Sequence, residues 1–331
     1  MVLRTPPKLS AGDRIHVIAP SRALSTICAS EVEKASHRRS IARLESLGLR
    51  VTLGKHLWDT DPFGCPTVEH RLEDLHQAFA DPDVAAVITV IGGWQANELL
   101  DRIDYDLIAR NPKIFIGYSD ITVLQGAFMA RSQLVTYYGP HISTFGMKHG
   151  IDYTLEGFRM ALMSTAPYPL APSDAWSEDP WFADQETRNF IPNPGPTVLR
   201  EGDAEGPIVG GNLSSFQLLA GTPYRPDIAG KLLFVEATSD IQTAARQLRS
   251  ILQSPQGADV LGLALGRFTR DSGATQQALR HMVQSLPGLN GKPVVAGLDF
   301  GHTTPHATFP LGGRARIQAR KDRVSVDILE H

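Results

Sequence analysis

Short apolar runs alternate along this chain with segments whose apolar positions recur at helical spacing, the pattern of βα units wound around a parallel sheet. Residues 14–19 read as a first strand, closed by Pro20 and Ser21. Spacing through Ile41, Leu44 and Leu47 predicts a helix over 33–47, with Gly48 placed to end it. A second strand is expected over 50–53. In 67–80, TVEHRLEDLHQAFA, the residues Val68, Leu72, Leu75 and Phe79 share one face and predict a helix. Residues 84–91 are apolar throughout, so that strand should be central and buried on both faces. A further strand over 113–116 runs into a helix over 120–131.

The pattern then breaks. Seven of the 23 prolines fall in 167–196, together with Trp176, Trp181, Asp174, Glu178, Asp179 and Asp184. A loop this long is functional or disordered, and two tryptophans argue against disorder. Beyond it, strands are expected over 206–209, 231–235, 260–266 and 293–296, with helices between them, including 241–252. Residues 315–328 read as a closing hairpin. The expected organisation is an α/β domain over 1–165, a Pro/Trp-rich loop and linker over 166–200, and a second domain over 201–331.

Composition narrows the function. A chain of 331 residues suggests two domains and can bury a large core without staples. A net charge of -3 gives no electrostatic argument for nucleic acid or an anionic membrane as partner. Cys28 and Cys65 are too few for a disulfide framework or a cysteine-based zinc site. The first 14 residues are polar and interrupted by Pro6 and Pro7, without the apolar core of a signal peptide. The apolar run 84–91 is far shorter than the roughly 20 residues of a membrane helix. A cytoplasmic protein is expected.

Four segments could carry chemistry. In KIFIGYSDI (113–121) a strand meets a helix at Ser119, where a serine is pushed out at the carboxyl edge of the sheet. The same residue suits an N-cap, and the second glycine of G-x-S-x-G is missing. In IGGWQANELL (91–100) Gly92 and Gly93 end the central strand; they either form a tight turn or bring a free amide to a ligand. The segment matches no nucleotide-phosphate motif. In KLLFVEA (231–237) Glu236 ends a buried strand, as a solvated terminus or as an acid that orients a histidine, with Asp240 as its rival. In GLDFGHTTP (297–305) His302 sits in a tight loop after a strand, whereas His37, His70, His76 and His281 lie on expected helix faces. Pro305 prevents the helix that would aim His302 and His306 at one metal, so zinc is not expected there. Ser119, Glu236 and His302 follow the chain order Ser, acid, His, each just after a strand, as triads do in α/β hydrolases.

With GDRIHVIAPS (12–21), GGWQANELLDRIDYDLI (92–108), IGYSD (116–120), GPIVGGNLSSFQLLAGTP (206–223), LLFVEA (232–237), LGRF (265–268) and GLDFGH (297–302), the chain resembles the serine LD-carboxypeptidase family. Within it, WSEDPWFADQETRN (176–189) is similar to the tryptophan-bearing loop of the microcin C immunity peptidases. The resemblance implies a flavodoxin-like N-terminal domain and a smaller, mixed α/β, barrel-like C-terminal domain, assembled as a homodimer. It implies Ser119 as nucleophile, His302 as general base and Glu236 as its orienting carboxylate, with the amides of Gly93 and Asp120 as oxyanion donors and no metal or organic cofactor. Trp94, Trp176, Trp181 and Asn212 are expected at the substrate. That substrate would be a peptidyl- or aminoacyl-nucleotide, whose cleavage confers resistance to antibiotics of the microcin C type. A murein tetrapeptide is the alternative, and a catalytically silent nucleotide- or peptide-binding protein is the alternative of another class. Trp94 and Gln95 stand where the family's glycine motif often continues with Gly or Asn, which puts substrate preference in doubt.

Overall fold

The computed structural model describes residues 3–321 and 323–331. Its first sheet is built from β1 (Arg14–Ile18), β2 (Arg50–Leu53), β3 (Val84–Thr89), β4 (Ile114–Gly117) and β5 (Thr136–Tyr138). These strands pair in parallel in the order 2-1-3-4-5, the flavodoxin-like winding. Helices α1 (Glu31–Glu45), α2 (Val68–Ala80), α3 (Tyr105–Arg110), α4 (Thr122–Ala127) and α5 (Asp152–Met163) lie between or after them. As its unbroken apolar sequence demands, β3 is an inner strand; five of its six residues are buried. Strand order reverses between β1 and β3, so Ser21 and Gly92, just beyond their carboxyl ends, border the crevice where such sheets take ligands.

The helix expected over 120–131 is a composite. A tight turn at Ser119–Ile121 leads into α4, and a wider turn at Phe128–Ser132 ends it. Buried small and polar residues, Thr122, Gln125 and Gly126, replace the amphipathic stripe because α4 is covered on all sides.

The proline-rich stretch is held rather than loose. Strand β6 (Tyr168–Pro169) leaves it to join the second sheet, while β7 (Ala175–Trp176) and β8 (Ile191–Pro192) pair with each other as a small hairpin. The second sheet continues with β9 (Thr197–Arg200), β10 (Gly202–Asn212), α6 (Leu213–Gln217), β11 (Leu232–Glu236), α7 (Ile241–Leu252), β12 (Gly262–Gly266), α8 (Gln276–Ser285) and β13 (Val294–Leu298). After β14 (Phe309–Leu311), the chain closes with the hairpin of β15 (Arg314–Arg320) and β16 (Arg323–Glu330). Strand β10 pairs antiparallel with β15 along its first half and parallel with β11 along its second. The eight-stranded sheet thereby combines both pairings, and β9 lies back against β15 and β16, curling it toward a barrel. No helix among the described residues is long and apolar enough to cross a membrane.

One strand crosses between the halves. β14 pairs antiparallel with β5 and caps the open edge of the first sheet, although it comes from the far end of the sequence. Its Phe309 packs 5.4 Å from Phe234 of β11, 5.0 Å from Phe300 and 5.3 Å from Tyr138 of β5, ring centre to ring centre. This aromatic cluster joins the sheets beneath the site. Truncation by Phe309→Ala is therefore expected to cost about 3–5 kcal/mol. Denaturant titration measures it, and a loss under about 1 kcal/mol would show that the sheets are held elsewhere.

Candidate active site

Strand β4 delivers Ser119 in a strained geometry. Tyr118 is extended and Ser119 has a φ of 63°, a left-handed conformation that a non-glycine residue holds only when its surroundings impose it. The Tyr118 ring supplies that constraint, wedged 4.2 Å from the His141 ring and 4.5 Å from the His306 ring. Of the two sequence readings of Ser119, the cap is not adopted: the side chain makes no capping bond, and Oγ lies 3.0 Å from His302 Nε2.

Behind that pair, His302 Nδ1 lies 2.9 Å from Oε2 of Glu236, the last residue of β11. Glu236 is fully buried, so its charge must be met within the protein. The other carboxylate oxygen, Oε1, accepts from Tyr138 OH at 2.7 Å and from Asn212 Nδ2 at 2.9 Å. Burial raises the Glu236 pKa, but the charge and hydrogen bond of His302, with the bonds from Tyr138 and Asn212, bring it below the usual value. For His302 the signs reverse: burial lowers its pKa, and the charge and hydrogen bond of Glu236 more than offset this, leaving it raised. The neighbouring imidazoles have no such carboxylate. Burial takes His306 down to about 4 and His141 well below the ordinary value, so both stay neutral. Asp240 is exposed and caps α7 through the Thr243 amide at 2.9 Å, which removes it as the rival acid. Gly301 precedes His302 with a φ of +119°, and a Cβ there would stand 3.2 Å from Glu236 Oε2.

The amides expected as oxyanion donors belong to a loop tied to the serine. Asp120, buried beside Ser119, accepts from Ser21 Oγ at 2.6 Å and from the Ala96 amide at 2.9 Å. Arg71 of α2 donates to the Gln95 carbonyl at 2.9 Å from the opposite side. Among the described residues, the Gly93 and Asp120 amides make no hydrogen bond within the chain. A Cβ added at Gly92 would stand 3.1 Å from Ser119 Oγ and 3.4 Å from the Asp120 amide, filling the space in front of the serine. Only glycine leaves that space for a tetrahedral oxyanion.

Ser119 and His302 open onto a cavity of about 460 Å³, rimmed by Gly93, Trp94, Trp181 and Phe182. Trp181 and Phe182 also border an adjoining apolar recess lined by Leu24, Ile27, Val32 and Ile142. Trp94 is 76% exposed and Phe182 64%, so both leave aromatic surface open to the cleft, with Phe182 set edge to face against Trp181 at 6.0 Å. Two expected substrate contacts lie elsewhere. Trp176 is buried at the loop's root, 4.8 Å from the Arg267 guanidinium, because the Arg267–Asp299 ion pair needs an aromatic cover. Asn212 is buried behind the triad: its Nδ2 holds Glu236, and its Oδ1 accepts from the Ser215 amide at 3.1 Å to cap α6. Tyr138, Ser21 and Arg71 carry no site role in the sequence reading: Ser21 enters it only as the stop of the first strand and the end of a family motif, and Arg71 only within the helix over 67–80. The signal for Tyr138 is the strand-forming run Thr136–Tyr138, which is not among the strands expected from sequence.

Comparison with known proteins places the family and the fold. Residues 15–139 match the LD-carboxypeptidase N-terminal domain and residues 205–317 the LD-carboxypeptidase C-terminal domain. The fold superposes on the MccF-like protein of Bacillus anthracis with a TM-score of 0.96 at 43% identity, covering 99% of this chain and 100% of that one. The chain is also similar to the microcin C7 self-immunity protein MccF of Escherichia coli, at 30% identity over 98% of this chain and 97% of that protein. To the murein tetrapeptide carboxypeptidase of Pseudomonas aeruginosa it is 28% identical over 94% of each.

Three outcomes follow from the geometry. Because His302 accepts a proton only when neutral and its pKa is raised, kcat/KM should fall as pH drops through a value above the ordinary 6.5. In Glu236→Gln burial acts unopposed, so the acid limb should move to lower pH while the rate falls; an unmoved limb would detach Glu236 from His302. Gly92→Ala should lower kcat by about 10²–10³-fold in a protein with unchanged circular dichroism, by obstructing the oxyanion. Full turnover by that variant would exclude the proposed position of the oxyanion.

Proposed function

This chain belongs to the LD-carboxypeptidase family of peptidases, and we propose on that premise that Ser119, His302 and Glu236 form its catalytic triad and cleave an amide bond in an aminoacyl- or peptidyl-nucleotide. The observation that carries the chemistry is the relay from the strained serine through His302 to a fully buried, fully bonded carboxylate. Ser119 Oγ attacks the carbonyl carbon as its proton passes to His302 Nε2. The oxygen becomes an oxyanion facing the Gly93 and Asp120 amides, a kind of donor worth about 3–4 kcal/mol each. Collapse breaks the carbon–nitrogen bond, and His302 returns the proton to the leaving nitrogen. Water then attacks the ester, giving a proton to His302, and Ser119 leaves with that proton restored. Glu236 stays ionised throughout and stabilises the imidazolium.

The substrate reading rests on the cleft. Trp181 and Phe182 stand over the cavity next to an apolar recess, and Trp94 faces them across the rim from the glycine loop. Flat aromatic surfaces with free faces suit a nucleobase, for which stacking contributes about 1–3 kcal/mol per base. The related MccF has been solved with aspartyl sulfamoyl adenosine and with glutamyl sulfamoyl guanosine. A murein tetrapeptide, the substrate named for the Pseudomonas relative, offers no base to stack.

Incubation with an aminoacyl-nucleotide amide and with a tetrapeptide ending in D-Ala, followed by mass spectrometry, separates the two. We expect release of the nucleotide part, and a fall of at least 10³-fold for Ser119→Ala. Cleavage of the tetrapeptide alone would overturn the substrate. Turnover by Ser119→Ala at the wild-type rate would overturn the mechanism. Binding without turnover, and no labelling of Ser119 by a fluorophosphonate, would make the protein a binding module.

A further inference from the structure

Between β2 and α2 the chain makes a loop over 54–66, and at its root two histidines meet one carboxylate, apart from the residues lining the cleft. The rings of His56 and His70 are stacked, with centroids 3.8 Å apart and planes 14° from parallel. His56 Nδ1 lies 2.8 Å and His70 Nδ1 2.9 Å from the same oxygen, Oδ2 of Asp59. The two approaches are not equivalent. His56 and Asp59 make a hydrogen bond, whereas His70 Nδ1, shielded from water, approaches the same oxygen at 2.9 Å without hydrogen-bond alignment. One ligand atom from each of His56, Asp59 and His70 lies within 4.8 Å of the other two, close enough for a single ion to engage all three.

The surroundings complete such a site. His56 Nε2, the nitrogen facing away, lies 3.1 Å from Glu73 Oε2, and the His56 amide donates to buried Asp74 at 3.0 Å. A ligating histidine characteristically gives its outer N–H to a carboxylate, which fixes the ring and raises its basicity. Among the described residues, Asp59, Glu73 and Asp74 outweigh Lys55, which pairs with Glu73 at 3.0 Å. Two imidazoles and a carboxylate suit zinc-class transition ions, whereas magnesium and calcium prefer all-oxygen shells.

We propose that His56, Asp59 and His70 bind one divalent transition-metal ion of the zinc class, with water completing its coordination. The ion would clip the 54–66 loop to the first turn of α2. On that helix, the next residue, Arg71, holds the Gln95 carbonyl at the end of the glycine loop. The site is structural and touches no reacting atom.

The test uses the full chain after chelation and dialysis, titrated with zinc and, in parallel, with magnesium. We expect one zinc per chain by native mass spectrometry, a rise in Tm with zinc and none with magnesium. His70→Ala and Asp59→Asn, both at partly exposed positions, should each weaken zinc binding at least tenfold. Each should leave peptidase turnover without zinc unchanged. His302→Ala should retain zinc binding, which separates this site from the catalytic imidazole. Equal zinc affinity in wild type and both loop variants, or no zinc-dependent rise in wild-type Tm, would overturn the proposal.

Discussion

The buried charge of Glu236 is the constraint on which the site depends. An ionised carboxylate with no access to water costs several kcal/mol unless its oxygens are bonded. Here the partners come from three directions: Tyr138 from the first sheet, Asn212 from β10 and His302 from the loop after β13. Satisfying one side chain therefore requires both sheets to be docked and the last loop to be in place. Of the three imidazoles around Tyr118, His302 is the one hydrogen-bonded to that carboxylate and the one with a raised pKa, whereas burial lowers His141 and His306.

Rigidity around that charge allows strain at the serine. A left-handed backbone at Ser119 costs of order 1–3 kcal/mol and persists because Tyr118 is wedged between His141 and His306, while Asp120 is tied to Ser21 and Ala96. The glycine loop is held by the same Asp120 and by Arg71, so nucleophile and amides share one scaffold. Preorganised donors contribute most when nothing must rearrange as charge develops.

The aromatic loop is fixed at its root and exposed at its tip. Arg267, paired with Asp299 at 2.6 Å and bonded to Asn193 at 2.9 Å, packs against Trp176, while Asp299 also accepts from the Ser173 amide at 2.7 Å. This network anchors the loop to the strand end that leads to His302. Trp181 and Phe182 project from it over the cleft. The division explains why two tryptophans five positions apart in one proline-rich segment serve different ends.

The local sequence determined β1–β4, β10–β13, the closing hairpin, helices such as α1, α2 and α7, and the strand-end positions of Ser119, Glu236 and His302, because hydrophobic period and turn residues act over a few neighbours. The helix over 241–252 and the buried character of β3 were legible for that reason. Convergence was not. That Glu236 rather than Asp240 faces His302, that Asn212 bonds the buried carboxylate, and that Trp176 covers an ion pair all depend on residues far away in the chain. So does β14, whose three residues carry no signal for an edge over 170 positions earlier in the chain. Pattern assigns each side chain to a face or an end; only docking of the sheets decides what it meets there.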